Sequence, residues 1–321
     1  MTCPVRQSAG PGQLTAAAPS SAAVSWPEGD DVADRFERFA GTMYIAFFAA
    51  GLFDQAMLPE VSAALENTGR IRNAPWGRAL RTAASDQIAF SGQDADRRAE
   101  MRRLKELHRD VKGVGANGVR YSALMPESWN WILISTFFVH RGAFVAVTGH
   151  RLSPAEDQAI WDRYRQLTEE LQLPGRSRLV ESYPELCAYY DRMVAEKLAA
   201  TATLENVTDI VLRPPLPDFL PTAATPLWKL VGPVAGHVGY VLGFGIMHPG
   251  VRALTPVRWG RRHDLEFAVL TRSLRLANRL VPEAITQTPL TRNRRRYAQL
   301  MKQYREIGLA SFAADEVASS R

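Results

Sequence analysis

One histidine interrupts a strongly charged stretch in the middle of the chain. Twelve of the nineteen residues from Asp94 to Lys112 are charged, and the pattern predicts a helix over them. Met101, Leu104, His108 and Val111 fall on one stripe at helical spacing. We therefore expect the imidazole of His108 to point inward, toward the core.

An inward imidazole needs a partner, and the spacing alone leaves two kinds open. A hydrogen bond would make His108 a satisfied core residue, which is the usual state of a buried polar group. An iron or zinc ion is the other partner. A metal site made only of protein ligands would draw on distant parts of the fold, because no metal-ligand spacing relates the histidines at 108, 140, 150, 237, 248 and 263. A haem iron needs only one axial histidine, whose other ring nitrogen is oriented by a carbonyl or carboxylate.

The glycines after this stretch indicate a turn and not a nucleotide site. Gly113-x-Gly115-x-x-Gly118 matches the dinucleotide fingerprint as text, but the fingerprint requires a preceding strand and a following helix. Here a helix is predicted to precede it, so we interpret Gly113 as the helix stop and Asn117-Gly118 as a turn. The sequence contains no GxxxxGK[ST], HExxH, GxSxG or CxxC motif. This excludes the common nucleotide, zinc-protease, hydrolase and thiol-redox sites.

A second group of polar residues lies upstream, in a helical segment that begins near Pro75. Arg78, Arg81 and Thr82 are spaced i, i+3 and i+4, which places all three side chains on one helical face. A solvated basic face is one interpretation of this pattern. A site for an anion or for oxygen is the other, since arginine and threonine both donate hydrogen bonds.

Five short motifs, which include both groups, occur along the chain in a fixed order. They are LPEV (58 to 61), Arg78-x-x-Arg81-Thr82, His108-x-x-Val111-x-Gly113, YSALMPESWNW (121 to 131) and HPGVR (248 to 252). In this order they resemble the MpaB-type oxygenase family, which includes the rubber-cleaving latex clearing proteins. The similarity extends over most of residues 35 to 300.

The resemblance implies an all-helical, globin-like core that holds one b-type haem and uses dioxygen. His108 matches the axial ligand of the haem iron. Arg78 and Thr82 match the arginine and threonine near the haem, and Arg81 falls where rubber-cleaving members have a lysine that approaches the iron. Arg81 and Thr82 are therefore the candidate catalytic residues, and Arg78 a candidate for cofactor binding.

Other positions match the family less well. Two haem-pocket arginines of the rubber-cleaving members fall on Lys105 and Lys112, where lysine keeps the charge but loses the bidentate fork. The acidic residue proposed as a base has no clear match, and Glu60 and Glu66 are only weak candidates. His140, on a long apolar helix, is the rival axial ligand.

The implied function is oxidation by dioxygen of an apolar or unsaturated small molecule, with cleavage of a carbon-carbon double bond as one outcome. Basic residues would face the haem propionates, and the apolar segments Tyr121 to Trp131 and Leu227 to Met247 would form the pocket wall. One alternative is a haem-binding sensor or carrier without turnover. Another is a basic helical protein that binds nucleic acid through the cluster Arg292 to Arg296, which we favour least because no recognised nucleic-acid motif accompanies it.

The remaining pattern predicts an all-α protein with a single domain. Residues 1–30 are predicted to be a disordered leader, residues 31–305 the helical oxygenase domain and residues 306–321 a flexible tail. The apolar stretches Met43 to Leu58 and Leu227 to Met247 contain charged residues or many glycines, so we expect buried helices and no integral membrane segment.

Charge and leader composition bear on partners and location. A net charge of +6 permits nucleic acid, an anionic membrane surface or an acidic ligand as partner. The leader has no apolar run of signal-peptide length, which predicts a cytoplasmic protein and a small substrate in preference to a polymer. The oligomeric state stays open.

Overall fold

The computed structural model describes residues 31–69, 73–116 and 118–306, and these residues form a helical domain with one short hairpin. The helices are α1 (Val32–Ala40), α2 (Pro59–Thr68), α3 (Pro75–Ser91), α4 (Asp94–Arg109), α5 (Pro126–Thr148), α6 (Pro154–Leu167), α7 (Tyr183–Glu196), α8 (Ala202–Leu212), α9 (Thr225–Gly245), α10 (Pro249–Ala253), α11 (Arg261–Leu280), α12 (Glu283–Thr286) and α13 (Pro289–Glu306). The 3₁₀ segments are Met43–Met57, Glu169–Leu171, Gly175–Ser177 and Thr222–Ala224, and the strands are β1 (Lys112–Val114) and β2 (Arg120–Ser122). The predicted all-α class is confirmed. The predicted leader, Asn117 and the tail from residue 307 lie outside the described residues.

Helix α5 is the centre of the core. It begins with proline in its first turn, and its C-cap is Gly149, whose φ of 72° suits glycine. Trp131, Phe137 and Phe144 are fully buried along it. Among the described residues, α5 is the helix long and apolar enough to cross a bilayer, but 78% of its most apolar window is buried inside the protein. We therefore interpret it as a core helix.

The segment Met43–Met57 is a helix, as predicted, but of the 3₁₀ type. A 3₁₀ helix has three residues per turn, so residues three apart line up on one face. Phe48, Gly51, Asp54 and Met57 form such a row and are buried. The row crosses α9 at Gly51, which lies against Gly243.

The predicted helix end at Gly113 is wrong. Helix α4 ends at Arg109, and Lys112–Val114 pairs antiparallel with Arg120–Ser122. Gly113 serves a different purpose, because a Cβ atom there would lie 2.9 Å from the hydroxyl of Tyr121. The turn predicted next to these strands is present, with Gly118 at a φ of 76°.

The predicted burial of the segment from Leu227 to Met247 holds only for its second half. Tyr240 to Phe244 is buried. In the first half, Gly232 and Gly236 form the buried side, and a Cβ atom on Gly236 would lie 2.1 Å from the Val211 carbonyl oxygen of α8. The opposite side of this half is exposed, with Leu227 at 65%, Leu230 at 75% and Val234 at 65%.

Candidate functional site

Helices α3 and α4 form an antiparallel pair that is closed near its connecting turn. The hydroxyl of Ser85 on α3 donates to the Glu100 carboxylate on α4. Arg97 Nε donates to the Ala89 carbonyl oxygen at 2.7 Å. These contacts fix the first two turns of α4 against the last two turns of α3.

The arginine-threonine face of α3 is turned toward α4. Arg78, Arg81 and Thr82 lie at i, i+3 and i+4, and Ser85 at i+7 continues the same face. Because Ser85 contacts α4, the other three side chains project to that side. At a rise of 1.5 Å per residue, Arg78 lies about 10 Å and His108 about 12 Å beyond the Ser85–Glu100 contact. Arg78 therefore lies near the level of the predicted ligand at the open end of the helix pair, while Arg81 and Thr82 lie about 6 Å and about 4.5 Å beyond the contact.

Helix α3 is unpacked along this part of its length. All residues from 79 to 84 are exposed, including Ala79 and Ala83, which lie on the side that carries Asp86 and Phe90 into the core. The inward side of α3 is therefore open to solvent before Phe90, and we call the space beside this exposed stretch the cleft.

The start of α3 closes the far end of this cleft. Trp76 Nε1 donates to the Pro215 carbonyl oxygen at 2.7 Å. The Trp76 ring lies 6.1 Å from that of Trp228 and 6.4 Å from that of Phe219. Helix α3 thus bridges two anchored ends, one held by Trp76 and the other by Ser85 and Phe90.

His108 is half-buried and uses one ring nitrogen. Its Nδ1 lies 2.7 Å from the Leu104 carbonyl oxygen, which accepts only from a protonated nitrogen. In the neutral imidazole this hydrogen bond selects the tautomer with its lone pair on Nε2, and Nε2 has no hydrogen-bond partner among the described residues. Its ring stands edge-on to Trp129 at 5.5 Å. A neutral imidazole with Nδ1 fixed by a carbonyl and Nε2 open is the donor that an iron porphyrin requires.

A closed metal site of protein ligands is not found here. Within the described ranges, no group of three or more histidine, cysteine, aspartate or glutamate residues is placed to hold a metal ion. Of the two metal arrangements weighed from the sequence, the donor set fits only the one with a single axial ligand.

Lys105 and Lys112 do not join the arginine-threonine face. Lys105 Nζ donates to the Gln172 carbonyl oxygen at 2.9 Å, on the side of α4 that contacts the 3₁₀ turn Glu169–Leu171. Burial lowers the pKa of this lysine. Lys112 is exposed on β1.

His140 is a satisfied core residue. Its Nδ1 lies 2.9 Å from the Thr136 carbonyl oxygen and its Nε2 lies 3.1 Å from Asp86 Oδ2. Burial lowers the pKa of His140, but the Asp86 carboxylate and the hydrogen bonds raise it by more, so the net shift is upward. With both nitrogens engaged, this histidine ties α5 to α3 and has no lone pair for iron.

The two weak base candidates lie on α2. Glu66 Oε1 accepts hydrogen bonds from Thr203 at 2.7 Å and from Ser62 at 3.3 Å. Glu60 has a buried carboxylate oxygen, Oε2, with no hydrogen-bond partner among the described residues. Neither forms a hydrogen bond with His108 or with the arginine-threonine face in the part of the chain that the structure describes.

A buried acid that sequence reasoning passed over is Asp54. It accepts hydrogen bonds from Ser135 at 2.5 Å and from Tyr190 at 3.2 Å. Burial raises the pKa of Asp54 to about 7, although these hydrogen bonds act in the opposite direction. In the sequence, Asp54 is the single acidic residue within the apolar run Met43 to Leu58. That charge argues against a membrane-spanning segment, but the local pattern gives no sign of a site.

A cavity of about 520 Å³ lies elsewhere, between the first half of α4, the end of α6 and the loop that follows. Charged side chains line most of it, among them Arg97, Arg165 and Glu169. It contains none of the predicted site residues, so it does not extend the cleft beside His108.

Comparison with known proteins shows the family. A family described as "ER-bound oxygenase mpaB/B'/Rubber oxygenase, catalytic domain" matches residues 37–276. The chain belongs to this oxygenase family. The matched range extends from α1 into α11 and includes every predicted site residue. The predicted membership is confirmed, and the family is one of oxidoreductases that use dioxygen.

Two mycobacterial relatives are similar over most of the chain. The uncharacterized proteins Mb2261 of Mycobacterium bovis and Rv2237 of Mycobacterium tuberculosis are each 26% identical over 243 residues, which is 73% of this chain and 88% of the relative. No solved structure matches the chain.

Proposed function

We propose that this protein is a haem b-dependent oxygenase that uses dioxygen to oxidise an apolar or unsaturated small molecule, with oxidative cleavage of a carbon-carbon double bond as a candidate reaction. The observation that carries the proposal is the open Nε2 of His108, near the level of Arg78 on the arginine-threonine face and of an unpacked stretch of α3. Family membership supplies the oxygenase class.

Each side chain of the cleft would have a different role. His108 would hold the iron through Nε2, while its bond to the Leu104 carbonyl fixes the ring. Arg78 and Arg81 supply guanidinium groups for the haem propionates, and Thr82 supplies a hydroxyl donor beside them. When bound, haem supplies the activation of dioxygen and the electron transfer.

Lys105 and Lys112 keep only a predicted role at the haem. Lys105 would have to release the Gln172 carbonyl before its ammonium group reached a propionate. Arg78 and Arg81 are proposed as the counter-charges because their face points toward α4.

The surroundings of the cleft favour an apolar substrate. Leu107, on α4 beside it, is more than half exposed. Trp76, Phe219 and Trp228 form its aromatic end. Such walls bury apolar ligands and exclude water from the oxidised carbon. The cytoplasmic location and the preference for a small substrate over a polymer stay predictions.

An absorption spectrum of the purified protein tests the cofactor. After expression with a haem precursor we expect a Soret band that shifts on dithionite reduction, and we expect His108→Ala to lose it. His140→Gln is the matched control and should retain the band, because His140 has no open nitrogen. A colourless wild-type protein would contradict the proposal, and loss of the band in the control alone would transfer the ligand role to His140.

Oxygen consumption then separates an enzyme from a haem-binding sensor or carrier. We expect uptake that depends on an added apolar alkene, and a haem-loaded protein with no uptake for any such compound would be a sensor or carrier. The nucleic-acid alternative is not proposed. Two of the arginines on which it rests are engaged within the protein, Arg294 with the Ser91 carbonyl at 2.7 Å and Arg295 with Glu283 at 2.5 Å.

A further inference from the structure

Helix α11 exposes an apolar stripe to solvent. Leu265 is 67% exposed, Val269 51%, Leu276 56% and Leu280 71%. Their spacing of i, i+4, i+11 and i+15 places all four side chains on one side of the helix, which we call the leucine face. The opposite side holds α11 on the domain through Phe267, which lies against Gly245, and through Arg275, whose Nε donates to the Ala146 carbonyl oxygen at 2.9 Å.

The leucine face is bordered by arginines. Arg261, Arg272 and Arg279 follow one edge at spacings of eleven and seven residues, and all three are exposed. Two of them act on the neighbouring Arg275, whose pKa is lowered first by burial and then by the charges of Arg272 and Arg279. No ion pair involves these three side chains in the part of the chain that the structure describes.

The segment that contains α9 and α11 is rich in positive charge. Residues 225–282 contain eight lysine and arginine residues and only two acidic ones, Asp264 and Glu266. Glu266 is already bound by Arg262 at 2.7 Å and by His237 at 2.9 Å. The neighbouring helix α9 exposes further apolar side chains in its first half, among them Leu230.

We propose that the leucine face of α11 docks on an anionic lipid bilayer, with the leucines at the headgroup boundary and the arginine edge on lipid phosphates. An exposed helix with an apolar stripe and a basic edge has the composition of an interfacial helix, and each basic side chain near an anionic surface adds about 1 kcal/mol of attraction.

A second copy of this chain is a poorer occupant. It would bring another row of arginines to the interface, with few free carboxylates to pair with them. Nucleic acid accounts for the arginines but leaves the leucine stripe exposed, and no aromatic side chain lies on this face for base stacking. A bilayer is the occupant that matches both the apolar and the charged component.

Co-sedimentation of the full chain with vesicles tests the proposal without haem. We expect binding to vesicles of phosphatidylcholine with phosphatidylglycerol, weaker binding at high salt, and little binding to phosphatidylcholine alone. The double change Arg272→Gln and Arg279→Gln should weaken binding about fivefold for each arginine. Leu276→Ser with Leu280→Ser should weaken it about tenfold or more, because insertion of the leucines contributes the hydrophobic part.

Matched controls change the same residue types away from this face. Leu290→Ser on α13, and Arg176→Gln with Arg292→Gln, should bind vesicles like the wild type. If the leucine changes leave vesicle binding unaltered, the face binds the vesicles through charge alone, and the proposal is overturned. The face would belong to a second copy of the chain if the wild type did not bind vesicles, formed a dimer in sedimentation equilibrium, and the same leucine changes dissociated that dimer.

Discussion

At the scale of single residues, the two candidate histidines differ in what their second nitrogen meets. Both place Nδ1 on the carbonyl oxygen four residues earlier in their own helix. Nε2 of His140 then meets the Asp86 carboxylate, whereas Nε2 of His108 meets no group among the described residues. The same side chain is therefore a structural tie in one helix and an open donor in the other.

Burial of Asp54 makes the free energy of unfolding depend on pH. Its pKa in the folded protein is about 7, above the usual value near 4 of an unfolded aspartate. A carboxyl group with a raised pKa favours the folded state at acid pH, and this contribution is lost as the pH rises through about 7. Above that pH the folded protein must keep a carboxylate away from water.

We expect Asp54→Asn to remove this pH dependence. The free energy of unfolding of the wild type, minus that of the variant, should fall by a few kcal/mol between pH 4 and pH 8, because only the wild type has the buried carboxyl group. Urea unfolding at several pH values measures it. Asp218→Asn, at an exposed position, is the control and should give a flat difference. A flat difference for Asp54→Asn as well would mean that the carboxyl group is already ionised throughout this range.

At the scale of elements, the crossing of Met43–Met57 with α9 depends on small residues. A Cβ atom on Gly243 would lie 2.6 Å from the Gly51 nitrogen and 2.8 Å from the Ala50 side chain. Two backbones can approach this closely only where one of them lacks a side chain. The crossing brings the buried row that contains Asp54 into the core.

We expect Gly243→Ala to destabilise the protein by about 1–3 kcal/mol, because the added methyl group overpacks the crossing. Gly239→Ala, four residues earlier in the same helix, is the matched control. A Cβ atom there meets nothing within 4 Å, so the change should stabilise the fold by about 0.4–1 kcal/mol through the lower entropy of the unfolded chain. Thermal and urea unfolding measure whether each change stabilises or destabilises the protein. Equal effects of the two changes would mean that helix propensity, and not the close crossing, determines the change in stability.

The same elements show which features a sequence reveals. The helix start at Ser153, with its capping box to Glu156, depends on residues that lie within four positions of each other, so a local pattern indicates it. The end of α4 was missed because the close approach of Gly113 to Tyr121 joins residues that no local pattern relates. The arginine-threonine face follows from spacing, whereas its direction toward α4 depends on the Ser85 contact, which appears only in the folded chain.

At the scale of the whole molecule, the domain is unevenly packed. The aromatic core around α5 is dense, with Trp131, Phe137 and Trp161 fully buried. The segment from residue 79 to 84 has no buried residue at all. Stretches with few buried apolar contacts open at low free-energy cost, and binding sites are commonly drawn from them. The proposed cofactor would fill the cleft beside this stretch and connect α3 to α4 at their open end.

Cofactor binding should therefore stabilise the whole domain and order one stretch in particular. A ligand that binds only the folded state at 100 times its dissociation constant adds about 2.7 kcal/mol to the free energy of unfolding. With added haem we expect a higher melting temperature, and slower amide hydrogen exchange concentrated in residues 79–84 and around His108. His108→Ala should show neither effect, while His140→Gln, compared with and without haem, should show both. Protection spread evenly over the core, with no change in residues 79–84, would place the haem outside this cleft.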